Sequence, residues 1–181
     1  MDYKTIIKKA LYCLKKNDSF LIENNLHEVC ITHKLAEYIQ NLIPEFNVDC
    51  EYNRNIDDKK IVYTLKKTLE KEYFVKNFKK EILKKIIEQY KKEEKLVRPD
   101  IIVHLRGKNE NKIVIEAKNY NNASPENEAG DLAKLFIFTD ENETFKYDIG
   151  YYIVFPKKFS DKLTIKFKEI IENKVYKIEI N

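Results

Sequence analysis

Two apolar runs constrain this chain most: Ile101–Leu105 and residues 113–115, separated by Gly107, Asn109 and Asn111. Their β-branched residues favour the pleated backbone, and Gly and Asn favour the tight reversal between them, so the spacing predicts a β-hairpin. Polar residues sit at the ends of these runs: Asp100 opens the first strand, and Glu116 and Lys118 close the second. Side chains alternate along a strand, so Glu116 and Lys118 share a face while Ala117 turns away, and Asp100 shares its face with Ile102 and His104. The two sets meet only if Asp100 stands opposite Glu116 or Lys118, pairings that centre the turn near Lys108 or Asn109. A slip of one residue would send Asp100 to the other side of the sheet. Two carboxylates and an ammonium are costly to bury together without a partner. A hard divalent cation such as Mg²⁺, which takes one or two carboxylates plus water and phosphate oxygens, is such a partner.

Spacing alone is a weak signal in a chain that is 35% charged. Glu-x-Lys recurs at Glu93 to Lys95, Glu110 to Lys112 and Glu172 to Lys174. Only the copy at Glu116 ends an apolar strand and pairs with an upstream Pro-Asp that begins another. The pattern Pro99-Asp100, fifteen intervening residues, then Glu116-Ala117-Lys118 resembles the signature of the PD-(D/E)XK nuclease superfamily, the restriction-endonuclease-like fold. The resemblance implies a phosphodiesterase core in which Asp100 and Glu116 hold Mg²⁺ or Mn²⁺ and Lys118 orients or activates the attacking water.

A second carboxylate is singled out by helical spacing. Residues 25 to 43 read as a helix ending before Pro44. In it Ile31, Leu35, Ile39 and Leu42 form the buried stripe, Glu28 projects into that stripe and Glu37 falls opposite. Glu28 reads equally well as a first-turn residue favoured by the helix dipole. In the nuclease superfamily the helix before the first core strand often supplies a metal-site Glu, so the resemblance adds Glu28 to the metal and catalytic set. His33 lies off the stripe and is expected at the surface or on the substrate side.

Residues 48–54 read as the first core strand, with Val48, Cys50 and Tyr52 on one face and Asp49, Glu51 and Asn53 on the other. This segment, with Arg-Pro-Asp-Ile-Ile-Val-His and Val-Ile-Glu-Ala-Lys, looks like a bacterial and phage branch of the superfamily. Tyr52 and Arg54 are candidate substrate-side residues, with core packing and solvation as the alternatives. Residues 57–96 then read as a helical insertion before the second core strand. It has a long basic amphipathic helix carrying Phe74, Phe78, Ile82, Leu83, Ile86, Ile87 and Tyr90, preceded by a short strand at 61–65. Its lysines are expected to form a solvated face, with a phosphate-facing wall or a dimer contact as the alternative.

After the hairpin, 119–125 is a polar loop and 126–138 a helix with Leu132, Leu135, Phe136 and Phe138 inward. Within it Asp131-Leu132-Ala133-Lys134-Leu135 matches the helix that follows the Glu-x-Lys strand in such folds. Lys134 is therefore a candidate phosphate contact, with an ordinary surface lysine as the alternative. Residues 147–155 form a strand ended by Pro156, and 163–167 and 175–180 add two terminal strands. Residues 3–16 form an amphipathic helix broken by Asn17, Asp18 and Ser19.

At 181 residues, with 43% hydrophobic and 12% aromatic content, the chain suits one globular domain spanning 1–181. Three cysteines with no metal-site spacing are expected to be reduced and mostly buried. No signal-peptide or membrane-spanning pattern is visible, so a cytoplasmic protein is expected. The net charge of +4 suits a polyanionic partner, and three glycines leave no Walker-type or dinucleotide-type phosphate loop.

The expected class is α/β, a restriction-endonuclease-like α-β-β-β-α-β core with a mixed central sheet flanked by helices and extra C-terminal strands. The expected activity is metal-dependent cleavage of nucleic acid, DNA ahead of RNA. The alternative is a catalytically silent fold of the same kind that binds nucleic acid or a partner protein. Many nucleases of this fold are homodimers, which makes a homodimer a further expectation of the resemblance.

Overall fold

The computed structural model describes residues 2–51, 58–92, 98–159, 166–172 and 174–178. Among the described residues six strands form one mixed sheet in the order β1 (Asn47–Cys50), β2 (Ile101–Leu105), β3 (Glu110–Asn119), β4 (Ile149–Phe155), β5 (Lys166–Ile171) and β6 (Lys174–Ile178). All neighbours are antiparallel except β3 and β4, which are parallel. A parallel pair needs a crossover, and here it is the helix α6 (Pro125–Phe138). Ser124 caps it by accepting a hydrogen bond from the Asn127 N–H, and Pro125, expected in the preceding loop, takes its first position.

Alternation splits the hairpin between two cores. Ile101, Val103, Ile113, Ile115 and Ala117 pack beneath α1 (Tyr3–Glu23) and α2 (Glu28–Leu42). Ile102 and Val114 face the other way, toward α3 (Asp58–Leu69), α4 (Glu72–Asn77), α5 (Lys80–Lys92) and α6. Both sheet faces are thus covered, as expected for an α/β chain. Among the described residues no helix is long and apolar enough to cross a membrane.

Several sequence expectations need correction. The first helix does not stop at Asn17: it resumes through Glu23 after a kink at Asp18 (φ −132°). The Asp18 carboxylate accepts a hydrogen bond from the Tyr38 hydroxyl of α2, which pins the kink. Leu42 leaves the buried stripe of α2 at 38% exposure, and Thr32 and Ala36 join it. Residues 61–65 lie within α3 instead of a strand. Their β-branched content suggests a strand, yet Ile61, Leu65 and Leu69 recur every fourth residue, and Leu65 and Leu69 are buried. The long basic helix is interrupted at Phe78, whose backbone is extended (φ −130°, ψ 147°), giving α4 and α5. The cysteines are less buried than expected: Cys30 is exposed, and Cys13 and Cys50 are half-buried. The strand expected at 48–54 is seen over Asn47–Cys50; Tyr52 and Arg54 lie outside the described residues.

An aromatic cluster joins the insertion to the crossover. Phe74 is fully buried and packs edge-on to Phe136 (ring centroids 5.1 Å apart), and it stacks with Phe78 at 6.1 Å. Phe74→Ala should therefore lower stability by about 3–5 kcal/mol in urea unfolding through the cavity it leaves.

At the far end of the hairpin, Asp49 accepts hydrogen bonds from Arg106 and lies 2.7 Å from His104 Nε2. The Arg106 hydrogen bonds hold its carboxyl below the usual range, against the opposing effect of burial. A depressed carboxyl pKa contributes stability above the unfolded value of about 3.9, and that contribution is lost as pH falls through the lower folded value. The stability difference between wild type and Asp49→Asn should thus shrink as pH drops from about 5 toward 2. Chemical denaturation at several pH values checks it.

Candidate functional site

The register brings the two motif carboxylates together. Ile101 pairs with Ile115 and Ile102 with Val114, so one further step along the ladder sets Asp100 across from Glu116 on the α6 face. The turn occupies residues 106–109, where sequence centred it, and a bulge between Val103 and His104 absorbs a register shift near the turn without disturbing the site end. Asp100 Oδ2 accepts a hydrogen bond from the Ala117 N–H at 2.7 Å, which locks its carboxylate against β3.

Lys118 stands at the centre of the cluster. Its Nζ donates to Glu28 Oε1 at 3.1 Å and to the Ala117 carbonyl at 3.0 Å. It lies 3.8 Å from Asp100 Oδ2 and 3.4 Å from Asp131 Oδ2, the latter an ion pair without hydrogen-bond alignment. Glu28 reaches the site from the first turn of α2, and its Oε2 accepts from the Asn119 N–H at 2.8 Å. Asn119 in turn donates from Nδ2 to the Leu26 carbonyl, fastening the start of α2 to the end of β3.

Sequence reasoning misses Asp131 as a member of this cluster and misjudges the setting of Lys134. Lys134 is not a surface lysine: its side chain is 13% exposed, and its Nζ lies 2.6 Å from Glu116 Oε2 and 2.7 Å from Asp131 Oδ1. The signal is present in the sequence, because Asp131 and Lys134 are the only charges between Ala129 and Phe138 and stand one helical turn apart, on one face of α6. His33 is exposed on α2, as expected.

Burial governs the charges here. Desolvation pushes the Glu116 carboxyl well above its usual range, with Lys134 opposing and Asp100 and Asp131 reinforcing the shift. Burial likewise raises the Asp100 carboxyl against the pull of Lys118 and Lys134. For Lys118 burial acts to lower the pKa, but Asp131, Asp100, Glu116 and Glu28 together overcome it and raise it. Lys134 follows the same balance, with Asp131 and Glu116 its main counter-charges, and stays protonated. Both lysines are therefore firm cations, and the fully buried Glu116 is reluctant to ionise.

Four buried side-chain atoms have no hydrogen-bond partner among the described residues at this end of the sheet: Glu116 Oε1, Asp131 Oδ2, Asn119 Oδ1 and the Tyr152 hydroxyl. Tyr152 is beside Glu116 in the parallel β3–β4 ladder, and α5 adds Tyr90, whose hydroxyl feels the charges of Lys134 and Glu116. Among the described residues no three His, Cys, Asp or Glu side chains gather as a ready-made cage for a metal ion, since Lys118 and Lys134 lie between the carboxylates. Comparison with protein-family models, curated proteins and solved structures finds no match to this chain.

Removing one partner of a buried ion pair leaves an uncompensated charge. Lys134→Met should cost about 3–5 kcal/mol of stability. Combining it with Glu116→Gln should recover part of that loss, because the stranded carboxylate is then neutral. Urea unfolding of the two single variants and the double variant measures the coupling.

Proposed function

We propose that the chain is a divalent-metal-dependent nuclease with a restriction-endonuclease-like core, hydrolysing phosphodiester bonds in nucleic acid. The observation that carries this reading is the convergence of Asp100, Glu116, Lys118 and Glu28 at one end of the β2–β3 hairpin, from three separate segments of the chain. The order α2-β1-β2-β3-α6-β4, with β3 and β4 parallel, supports it at the level of topology.

The donor set fits a hard divalent cation. Four carboxylates (Glu28, Asp100, Glu116, Asp131) face two ammonium groups (Lys118, Lys134), so with all six ionised, four against two leaves an excess of two negative charges. Glu116 Oε1, buried and unpartnered, is a ready acceptor. Asp100 and Glu116 would hold the ion, and Mg²⁺ commonly uses only one or two carboxylates, with water and substrate phosphate oxygens completing its shell. When bound, the ion supplies Lewis-acid polarisation and lowers the pKa of its water.

The remaining roles fall to this chain's own groups. Lys118 keeps its proton, so it acts as a donor that orients the attacking water or stabilises charge developing on the phosphate. Glu28 has one oxygen on Lys118 and the other on the Asn119 N–H, so it positions Lys118. One observation favours the alternative of a silent fold that binds nucleic acid or a partner protein: an ammonium, Lys134, already holds Glu116.

Plasmid, single-stranded DNA and RNA, each incubated with Mg²⁺, Mn²⁺ or a chelator, decide between the two. Cleavage that needs metal and falls about 10²-fold or more in Lys118→Ala is the expected outcome. Circular dichroism guards against an unfolded variant. A folded wild type that cleaves none of the three substrates with either metal rules the nuclease reading out.

A further inference from the structure

The row of paired residues that begins at Asp100 and Glu116 continues across the sheet, buried at Glu116 and Tyr152. Glu116 is beside Tyr152, Tyr152 beside Lys168, and Lys168 beside Lys177, so one transverse row changes sign from acidic on β2 and β3 to basic on β5 and β6. At the basic end lies an open groove of about 470 Å³ between the β5–β6 hairpin, the α4–α5 junction and the first turns of α6. Its walls carry two aromatic rings, Tyr73 and Phe78, and three lysines, Lys79, Lys168 and Lys177. Among the described residues Glu128 is the one carboxylate lining it, and it is already paired with Lys168. The exposed Lys79 and Lys177, on facing walls, leave the groove cationic.

The rings are held in place by packing. Tyr73 stacks on Phe136 at 5.7 Å and meets Phe78 edge-on at 6.5 Å, while Phe78 stacks on Phe74. Phe78 sits at the extended break between α4 and α5, which is what brings it and Lys79 to the groove. Fixed aromatic rings between exposed lysines match the two needs of an unpaired nucleic-acid strand: flat bases to stack and phosphates to neutralise. A duplex hides its bases and has less use for the rings.

We propose that this groove binds a single-stranded nucleic-acid segment, with a base against Tyr73 and Phe78 and the flanking phosphates at Lys79 and Lys177. The proposal rests on the nuclease reading for its significance, since an unpaired strand held in the groove is a form of nucleic acid that such an enzyme would cleave. It names the form of the substrate: an unpaired strand, or the unpaired part of a frayed or branched duplex.

The test uses the 181-residue chain carrying Lys118→Ala, in chelator, so that binding is read without cleavage. Anisotropy of a labelled oligo(dT) should show binding that a duplex of equal length does not match. Lys79→Gln with Lys177→Gln should weaken it on the order of tenfold near 0.1 M salt and reduce the slope of log K against log salt by about 1.4, the value for two lost phosphate contacts on a single strand. The chain has no tryptophan, so Phe78→Trp in the same background provides a lone indole reporter whose emission should be quenched as oligo(dT) stacks on it.

Equal or tighter duplex binding, an unchanged salt slope in the double variant, or unquenched indole emission from the Phe78→Trp variant in its bound complex would each overturn the groove assignment. So would equal displacement of oligo(dT) by polyglutamate, which would make the groove an acidic-peptide site. These outcomes are separable from the nuclease reading. Single-strand binding with the expected salt slope, in a wild type that never cleaves, keeps the groove and removes the nuclease; metal-dependent cleavage with none of these binding effects does the reverse.

Discussion

The interior of this protein depends on an ammonium sealed between two carboxylates. Lys134 meets Glu116 from the sheet and Asp131 from its own helix, and all three are nearly closed off from water. Apolar packing between α6 and the sheet is tolerant of rotation about the helix axis, since Leu132, Leu135, Phe136 and Phe138 are all buried. Charges are not tolerant: a small turn of α6 would separate Lys134 from Glu116 and strand both in a medium that solvates neither. The ion pair therefore fixes the helix azimuth even though hydrophobic burial supplies the driving force.

The two lysines of the centre are held in different ways. Lys134 is surrounded by its own counter-charges and holds α6 to β3. Lys118 is reached by carboxylates from the start of β2, α2 and α6, so its position reports on the placement of three elements at once. An ammonium held this way has little conformational freedom left to lose, which is the physical basis of preorganisation. The unpartnered Glu116 Oε1 and the neighbouring Tyr152 hydroxyl are the opposite case, buried polar atoms left with capacity to spare.

Much of this is legible in the sequence because strand alternation is a strict rule. Asp100, Glu116 and Lys118 declare their shared face by parity once the turn is located, and the turn is marked by Gly107 and its asparagines. Glu28 is legible by helical phase, since it interrupts an apolar stripe. Asp131 is harder because its helix is buried nearly all round, so no polar face exists against which a misplaced charge would stand out. The kink at Asp18 and the break at Phe78 escape sequence reasoning for a related reason. A polar triplet looks the same at a kink as at a terminus, and the Tyr38 contact that decides the first case comes from a distant residue. At Phe78 no Pro or Gly marks the interruption, and ring packing against Phe74 accompanies the extended backbone there. The basic groove is invisible for a simpler reason: its residues come from separate elements that only the sheet order brings together.

The parallel β3–β4 ladder has a consequence for the order of assembly. The hairpin can pair early, since its strands are local, and it carries Asp100, Glu116 and Lys118. Asp131 and Lys134 arrive only with the crossover, after a longer loop has closed. Without that cover Glu116 lacks the burial that raises its carboxyl in the folded protein. The distinctive electrostatic character of the centre is thus a property of the finished molecule alone, acquired in the same step that seals its second core.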